Sequence, residues 1–221
     1  MEKRVTPLRK FLSYGFNISL ERVDSPFNGP MEVILADGRC MLNTAHATYS
    51  YEEKYTSFSK ALRTIAADIP SRKSILMLGL GLGSVPLILQ TQYNCQAPIT
   101  CVEIDPAIIR LAKKYYPYPA GLANMTLVQA DAVEWVTAST QQFDLVIADV
   151  FLDAAVPQSL HSLAFLEQLR SITAPGGILL FSRLLDRQRF ERPLWDHLDQ
   201  VFPEATQIDT GGNVVLCFRN T

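Results

Sequence analysis

The run Ile75-Leu-Met-Leu-Gly79-Leu-Gly81-Leu-Gly83-Ser84 constrains this 221-residue chain more than any other segment. An apolar strand passes directly into three alternating glycines and then into a helix. Glycine lets the backbone turn tightly and approach a ligand, and a helix start offers unpaired N–H groups. The pattern predicts a nucleoside site at the end of a sheet strand.

Downstream, apolar strand runs alternate with amphipathic helical runs, the mark of a parallel sheet covered on both faces. Strands are expected at 74–80, 98–103, 125–129, 143–149 and 177–182, with helices near 85–92, 106–115, 131–137, 159–172 and 190–201. The chain then reads as strand 205–209, a Thr210-Gly-Gly turn and strand 213–219. Upstream, short β segments at 17–23, 31–35 and 39–43 are broken by Asn28-Gly-Pro and by Asp37-Gly38, a hairpin signal. A lead-in helix is expected over 51–67. The change of pattern near Asp68-Ile-Pro-Ser-Arg-Lys divides the chain into a small β-rich unit with its lead-in helix, residues 1–70, and a nucleoside-binding domain, 71–221.

Twenty residues beyond Gly83, the second strand ends at Glu103 in Cys101-Val-Glu-Ile-Asp105-Pro106. An acid there lies beside the glycine loop and can accept hydrogen bonds from vicinal ribose hydroxyls. A dinucleotide site would need G-x-G-x-x-G, but Ser84 stands where its third glycine belongs. Asp131 follows the third strand, where its carboxylate can accept from the adenine amine or cap the next helix, with Glu134 three residues on. Asp149 ends the fourth strand and should face the reacting group, because ligands in open α/β sheets sit beyond the carboxyl ends of the strands.

Other classes are disfavoured. Lys and Arg number 20 against 22 Asp and Glu, a net charge of −2, so no basic excess is available for a phosphate backbone and no nucleic-acid partner is expected. No apolar run approaches the ~18 residues of a membrane span, and no apolar leader follows the charged N-terminus. The four cysteines lack C-x-x-C spacing and read as buried thiols, and His46, His161 and His197 show no metal-ligand spacing. The expectation is a cytoplasmic enzyme without a metal.

Taken together, Gly79–Gly83, Val102-Glu-Ile-Asp-Pro106, Gln129-Ala-Asp-Ala132, Phe143–Asp149 and Ala174-Pro-Gly-Gly177 resemble the spermidine synthase-like branch of the class I S-adenosylmethionine-dependent methyltransferase superfamily. The resemblance implies a Rossmann-like α/β fold: a mostly parallel seven-stranded sheet ending in an antiparallel hairpin, with a small N-terminal β unit. From the Asp37-Gly38 hairpin signal and the change of pattern near Ala67, that unit is expected to pack beside the cleft and to contribute to a homodimer contact. The resemblance also implies that Gly79, Gly81 and Gly83 shape the loop for S-adenosylmethionine or its decarboxylated form. Glu103 would take the ribose, Asp131 the adenine, and Asp149 would lie by the transfer centre.

Two stretches depart from that family's pattern. Its D-E-x-x-Y-x-E motif is represented by Ala47–Tyr55, and its D-S-S-D-P motif by Asp149-Val-Phe-Leu-Asp153, whose second acid comes one residue late. An acid-poor acceptor pocket favours methyl transfer to a small acceptor, because the leaving thioether is neutral and positioning supplies most of the catalysis. Aminopropyl transfer from decarboxylated S-adenosylmethionine, with Asp149 as base, is the alternative. A nucleoside-binding protein without transfer activity is the reading from a different class.

Overall fold

The computed structural model describes residues 5–151, 158–184, 192–211 and 213–221. It begins with a short helix, α1 (Pro7–Leu12), where only β structure was expected. Thr6 starts it, accepting the Arg9 N–H at 3.3 Å, with Pro7 in the first turn. Strands β1 (Ile18–Ser25), β2 (Gly29–Ala36), β3 (Arg39–Asn43) and β4 (Thr48–Ser50) then form an antiparallel sheet in sequence order. Asp37 and Gly38, at φ 49° and 74°, make the tight turn between β2 and β3.

The lead-in helix, α2 (Thr56–Thr64), is shorter than the periodicity of 51–67 predicts. Glu52 sits in the left-handed region at φ 43°, which delays the helical turns until Tyr55. There follow β5 (Ile75–Leu78), α3 (Ser84–Gln92), β6 (Ile99–Glu103), α4 (Pro106–Tyr115), β7 (Met125–Gln129), α5 (Ala132–Ala138) and β8 (Phe143–Ala148). The expected helix 159–172 is a 3-10 turn followed by α6 (Leu163–Ile172), because the Ser162 hydroxyl accepts the Phe165 N–H and caps a new start. The chain closes with β9 (Thr173–Leu184), α7 (Arg192–Val201), β10 (Thr206–Asp209) and β11 (Asn213–Arg219).

The second sheet has the order β10-β11-β9-β8-β5-β6-β7. Its pairs from β9 to β7 are parallel, whereas β11 runs antiparallel to both neighbours. This is the Rossmann-like class I methyltransferase arrangement, with a small antiparallel sheet at the N-terminus.

Side chains alternate across β5. Ile75 and Met77 join an apolar cluster with Val33, Leu42, Phe58 and Leu62, while Leu76 and Leu78 join one with Phe165, Leu166 and Leu169. The small sheet and α2 therefore share a core with one face of the large sheet, and α6 covers the other.

A polar joint complements that core. Asp105, fully buried, caps α4 through the Ala107 N–H (2.8 Å). It also accepts from Ser25 Oγ (2.5 Å) and Asn28 Nδ2 (2.8 Å) in the β1–β2 turn. Asp105→Ala removes a helix cap and strands two buried donors. The expected loss is about 3 kcal/mol of stability, read from the midpoint of urea unfolding at unchanged slope.

Candidate functional site

The sheet order reverses direction between β5 and β8, and a crevice opens there at the carboxyl ends of the strands. It forms a cleft of about 900 Å³, lined by the glycine loop, the ends of β6 and β8, the start of α5 and the segment from His46 to Ser59. The structure thus brings Gly79, Gly81, Glu103, Asp131 and Asp149 to one cavity. Gly83 lies at the foot of α3 as its N-terminal cap.

The loop's glycines answer first to the protein's own packing. Gly79 has φ 82°, and a Cβ there would lie 2.2 Å from the Asp149 carbonyl oxygen. At Gly81, φ 55°, a Cβ would meet the Tyr49 carbonyl at 2.9 Å. These close approaches let β8 and β4 press against the loop. Ser50 Oγ accepts the Leu82 N–H (3.0 Å) and lies 2.8 Å from Ser84 Oγ, which accepts the Tyr51 N–H (3.0 Å).

Glu103 is nearly buried, and each of its carboxylate oxygens accepts a backbone N–H: Oε2 from Leu80 and Oε1 from Asp105, both at 3.0 Å. Burial pushes its pKa up to about 7, and those N–H bonds oppose the rise. Each oxygen retains a second lone pair for a ligand hydroxyl, so the arrangement fits a vicinal diol laid along the loop.

Asp131 caps α5, its Oδ1 accepting from Val133 N–H (2.8 Å) and Glu134 N–H (3.0 Å). The capping half of the sequence expectation is observed, with the residue still on the cleft wall.

Asp149 follows the end of β8 and is half-buried. The Tyr55 hydroxyl donates to its Oδ2 at 2.8 Å, while its buried Oδ1 has no hydrogen-bond partner among the described residues. Burial raises its pKa to about 6 against the pull of the Tyr55 hydroxyl. The Tyr55 phenol is held protonated well above its ordinary range, by burial and by Asp149, so it remains a donor. An ionisable carboxylate that lines the cleft can take a proton from a bound amine.

Tyr55 falls inside the expected lead-in helix 51–67 and is not among the site residues read from the sequence. If Tyr51-Glu52 stand for D-E, Tyr55 falls on the tyrosine of D-E-x-x-Y-x-E, the signal that could have found it. Asn213, also in the lining, carried no comparable signal. Asp153, the late acid of the second departing stretch, lies outside the described residues. Among the described residues no cluster of His, Cys, Asp and Glu could hold a metal, and no helix is long and apolar enough to cross a membrane. All four cysteines are buried thiols.

Residues 56–205 match the sequence model of a family described as "Spermine/spermidine synthase domain". A probable polyamine aminopropyl transferase of Bifidobacterium longum is 34% identical over 107 residues, 48% of this chain and 23% of its own length. Putrescine N-methyltransferase 2 of Nicotiana tabacum is 30% identical over 115 residues, 50% of this chain and 32% of its own length. The chain therefore spans less than a third of either relative. In fold it is similar to the crystal structure of a probable spermidine synthase from Corynebacterium glutamicum. That match has a TM-score of 0.73 at 20% identity and covers 91% of this chain and 80% of the other.

Proposed function

Because the chain belongs to the spermine/spermidine synthase family, we propose that it transfers the aminopropyl group of decarboxylated S-adenosylmethionine to the amine of a small diamine or polyamine. The observation that carries this reading is Asp149, a half-buried carboxylate that lines the cleft and is held there by the Tyr55 hydroxyl.

In this account the ribose diol donates to Glu103, the adenine amine to Asp131, and the sulfonium lies above the glycine loop. Asp149 accepts a proton from the acceptor's ammonium, and Tyr55 holds the carboxylate in place. The freed nitrogen lone pair forms the new C–N bond as the C–S bond breaks, and a neutral thioether leaves. Holding the amine in line with the sulfonium supplies much of the rate.

The preference for methyl transfer drawn from sequence gives way here to its alternative. Four acids, Glu53, Glu103, Asp131 and Asp149, line the described cleft. Its one fixed cation among the described residues, Lys54, is tied to Asp37 at 3.0 Å, and Glu53 in turn is tied to Arg39 at 2.5 Å, which leaves Glu103, Asp131 and Asp149 without an opposing cation in the cleft. Such a wall suits a donor and an acceptor that both carry ammonium groups better than a donor with an amino-acid carboxylate. Methyl transfer to an amine stays as the second reading, supported by the likeness to the tobacco N-methyltransferase. The same base would serve it, and only the donor carbon differs.

Calorimetric titration with methylthioadenosine tests the donor half. Glu103→Gln is expected to weaken binding by about 1.5–3 kcal/mol, the worth of hydrogen bonds to a charged group. Unchanged affinity would remove Glu103 from the ribose site. The diol favours the ionised carboxylate, whose pKa is about 7 in the free protein. Affinity should therefore fall as pH drops below 7, approaching tenfold per unit.

Linkage gives the opposite sign for stability. Glu103 and Asp149 both have raised folded pKa values, about 7 and about 6. The folded protein binds their protons more tightly than the unfolded chain does, so their contribution is lost as pH rises from about 4 to about 7. Urea midpoints in Glu103→Gln should be flatter across that window than in the parent.

A further inference from the structure

We propose that Tyr116, latched by Gln90, is a positioning residue for the nucleoside: it backs the glycine loop at Gly83 and through that residue sets the direction of the Glu103 carboxylate. The inference rests on reading Glu103 as the acceptor of the ribose diol. It adds two residues that stand behind the cleft wall, to which that reading gives no part.

Gly79 and Gly81 are approached by the backbone beyond β8 and by β4, whereas Gly83 is approached by an aromatic ring. At its φ of 88° a Cβ would lie 2.8 Å from both Cδ2 and Cε2 of Tyr116, so the edge of that ring packs against the last turn of the loop. The Gly83 N–H donates to the Leu80 carbonyl (2.9 Å), and the Leu80 N–H donates to Glu103 Oε2 (3.0 Å). The Gly83 carbonyl accepts the Leu87 N–H of α3 (2.9 Å). A shift at Gly83 is therefore passed back to the turn that orients Glu103 and forward into α3, whose first residue, Ser84, lines the cleft.

Tyr116 is itself held firmly. It ends α4, where its N–H donates to the Ala112 carbonyl (2.9 Å), and it is buried. Its hydroxyl donates to Oε1 of Gln90 (2.7 Å), a buried side chain in the last turn of α3, and Gln90 Nε2 donates to the Gly121 carbonyl (2.9 Å). A carbonyl can only accept, so Nε2 must face Gly121 and Oε1 is left for the phenol; one orientation of the amide satisfies both. The latch thus reaches along α3 from Gly83 at its foot to Gln90 near its end. It fixes helix and loop together against α4 and the segment that follows it.

Calorimetric titration with methylthioadenosine, and with its analogue lacking the ribose 2′-hydroxyl, reads the latch without any turnover. The parent should prefer the full diol by roughly tenfold or more, the worth of one hydrogen bond to a charged group. Tyr116→Leu opens a gap behind Gly83 and lets Glu103 turn from the ribose. It should weaken methylthioadenosine by about tenfold and the deoxy analogue by no more than about threefold, so the preference shrinks. Tyr116→Phe keeps the ring but frees it from Gln90, and Gln90→Leu breaks the same bond from the other side; each should reduce the preference by about twofold. These two variants carry the test should Tyr116→Leu not fold. In turnover, KM for the amine should stay at the parent value. Equal weakening of the two nucleosides, or an unchanged preference in all folded variants, overturns the latch and leaves Tyr116 a packing residue. A parent that binds both nucleosides alike sinks instead the ribose role of Glu103, and the latch with it.

Discussion

Asp149→Asn is expected to lower kcat/KM for amine transfer by roughly 10²–10⁴, the usual contribution of a positioned general base. The substitution keeps the shape of the side chain and an oxygen for the Tyr55 hydroxyl, which donates to Asp149 at 2.8 Å. It removes only the capacity to take the proton. Because burial already raises the pKa of this carboxyl to about 6, replacing it with a neutral amide relieves a desolvation cost above that pH. Loss of rate should therefore come with an unchanged or higher melting temperature at pH 8. A variant that lost rate and stability in parallel would point to Asp149 as a structural residue.

The second large effect is expected at Gly79. Its φ of 82° disfavours any side chain, and a Cβ would lie 2.2 Å from the carbonyl oxygen of Asp149, a backbone atom that can move only with the end of β8. Gly79→Ala should cost about 2–5 kcal/mol in stability, combining left-handed strain with overpacking. Displacing the Asp149 backbone also misaligns the base with the donor, and a misplacement of about 1 Å can cost on the order of 10² in rate. Urea unfolding and turnover measured on the same preparation check both halves. Gly29, also at positive φ, has no atom within 4 Å of the corresponding position, so Gly29→Ala would report strain without the clash.

The parts of the fold set by local pattern were legible. Residues 106–115 and 125–129 read correctly to the residue, because Pro106 and the apolar runs mark their limits. The Asp37-Gly38 hairpin followed from its turn chemistry. The helix α1 was hidden because Leu8 and Phe11 are exposed and bury no apolar face; Thr6 and Pro7 alone nucleate it. In the site, Glu103 and Asp149 could be read because an acid at a strand's carboxyl end has a fixed relation to the crevice. Tyr55 and Asn213 could not, since they reach the cleft from the start of α2 and from the last strand. Only tertiary packing brings them within bonding distance of Asp149 and Ser182. The glycines were read as room for a ligand, whereas the nearest atoms to Gly79 and Gly81 belong to Asp149 and to Tyr49 and Ser50.

The donor decides the central claim most directly. Purified protein is incubated with putrescine and either decarboxylated S-adenosylmethionine or S-adenosylmethionine at equal concentration, and both the amine and the nucleoside products are followed by mass spectrometry. The acids of the cleft, Asp149 among them, call for spermidine and methylthioadenosine from the decarboxylated donor, lost in Asp149→Asn, with little product from the other. N-methylputrescine and S-adenosylhomocysteine as the main products would contradict the aminopropyl reading in favour of methyl transfer. Tight binding of both nucleosides without product from any amine would contradict transfer altogether.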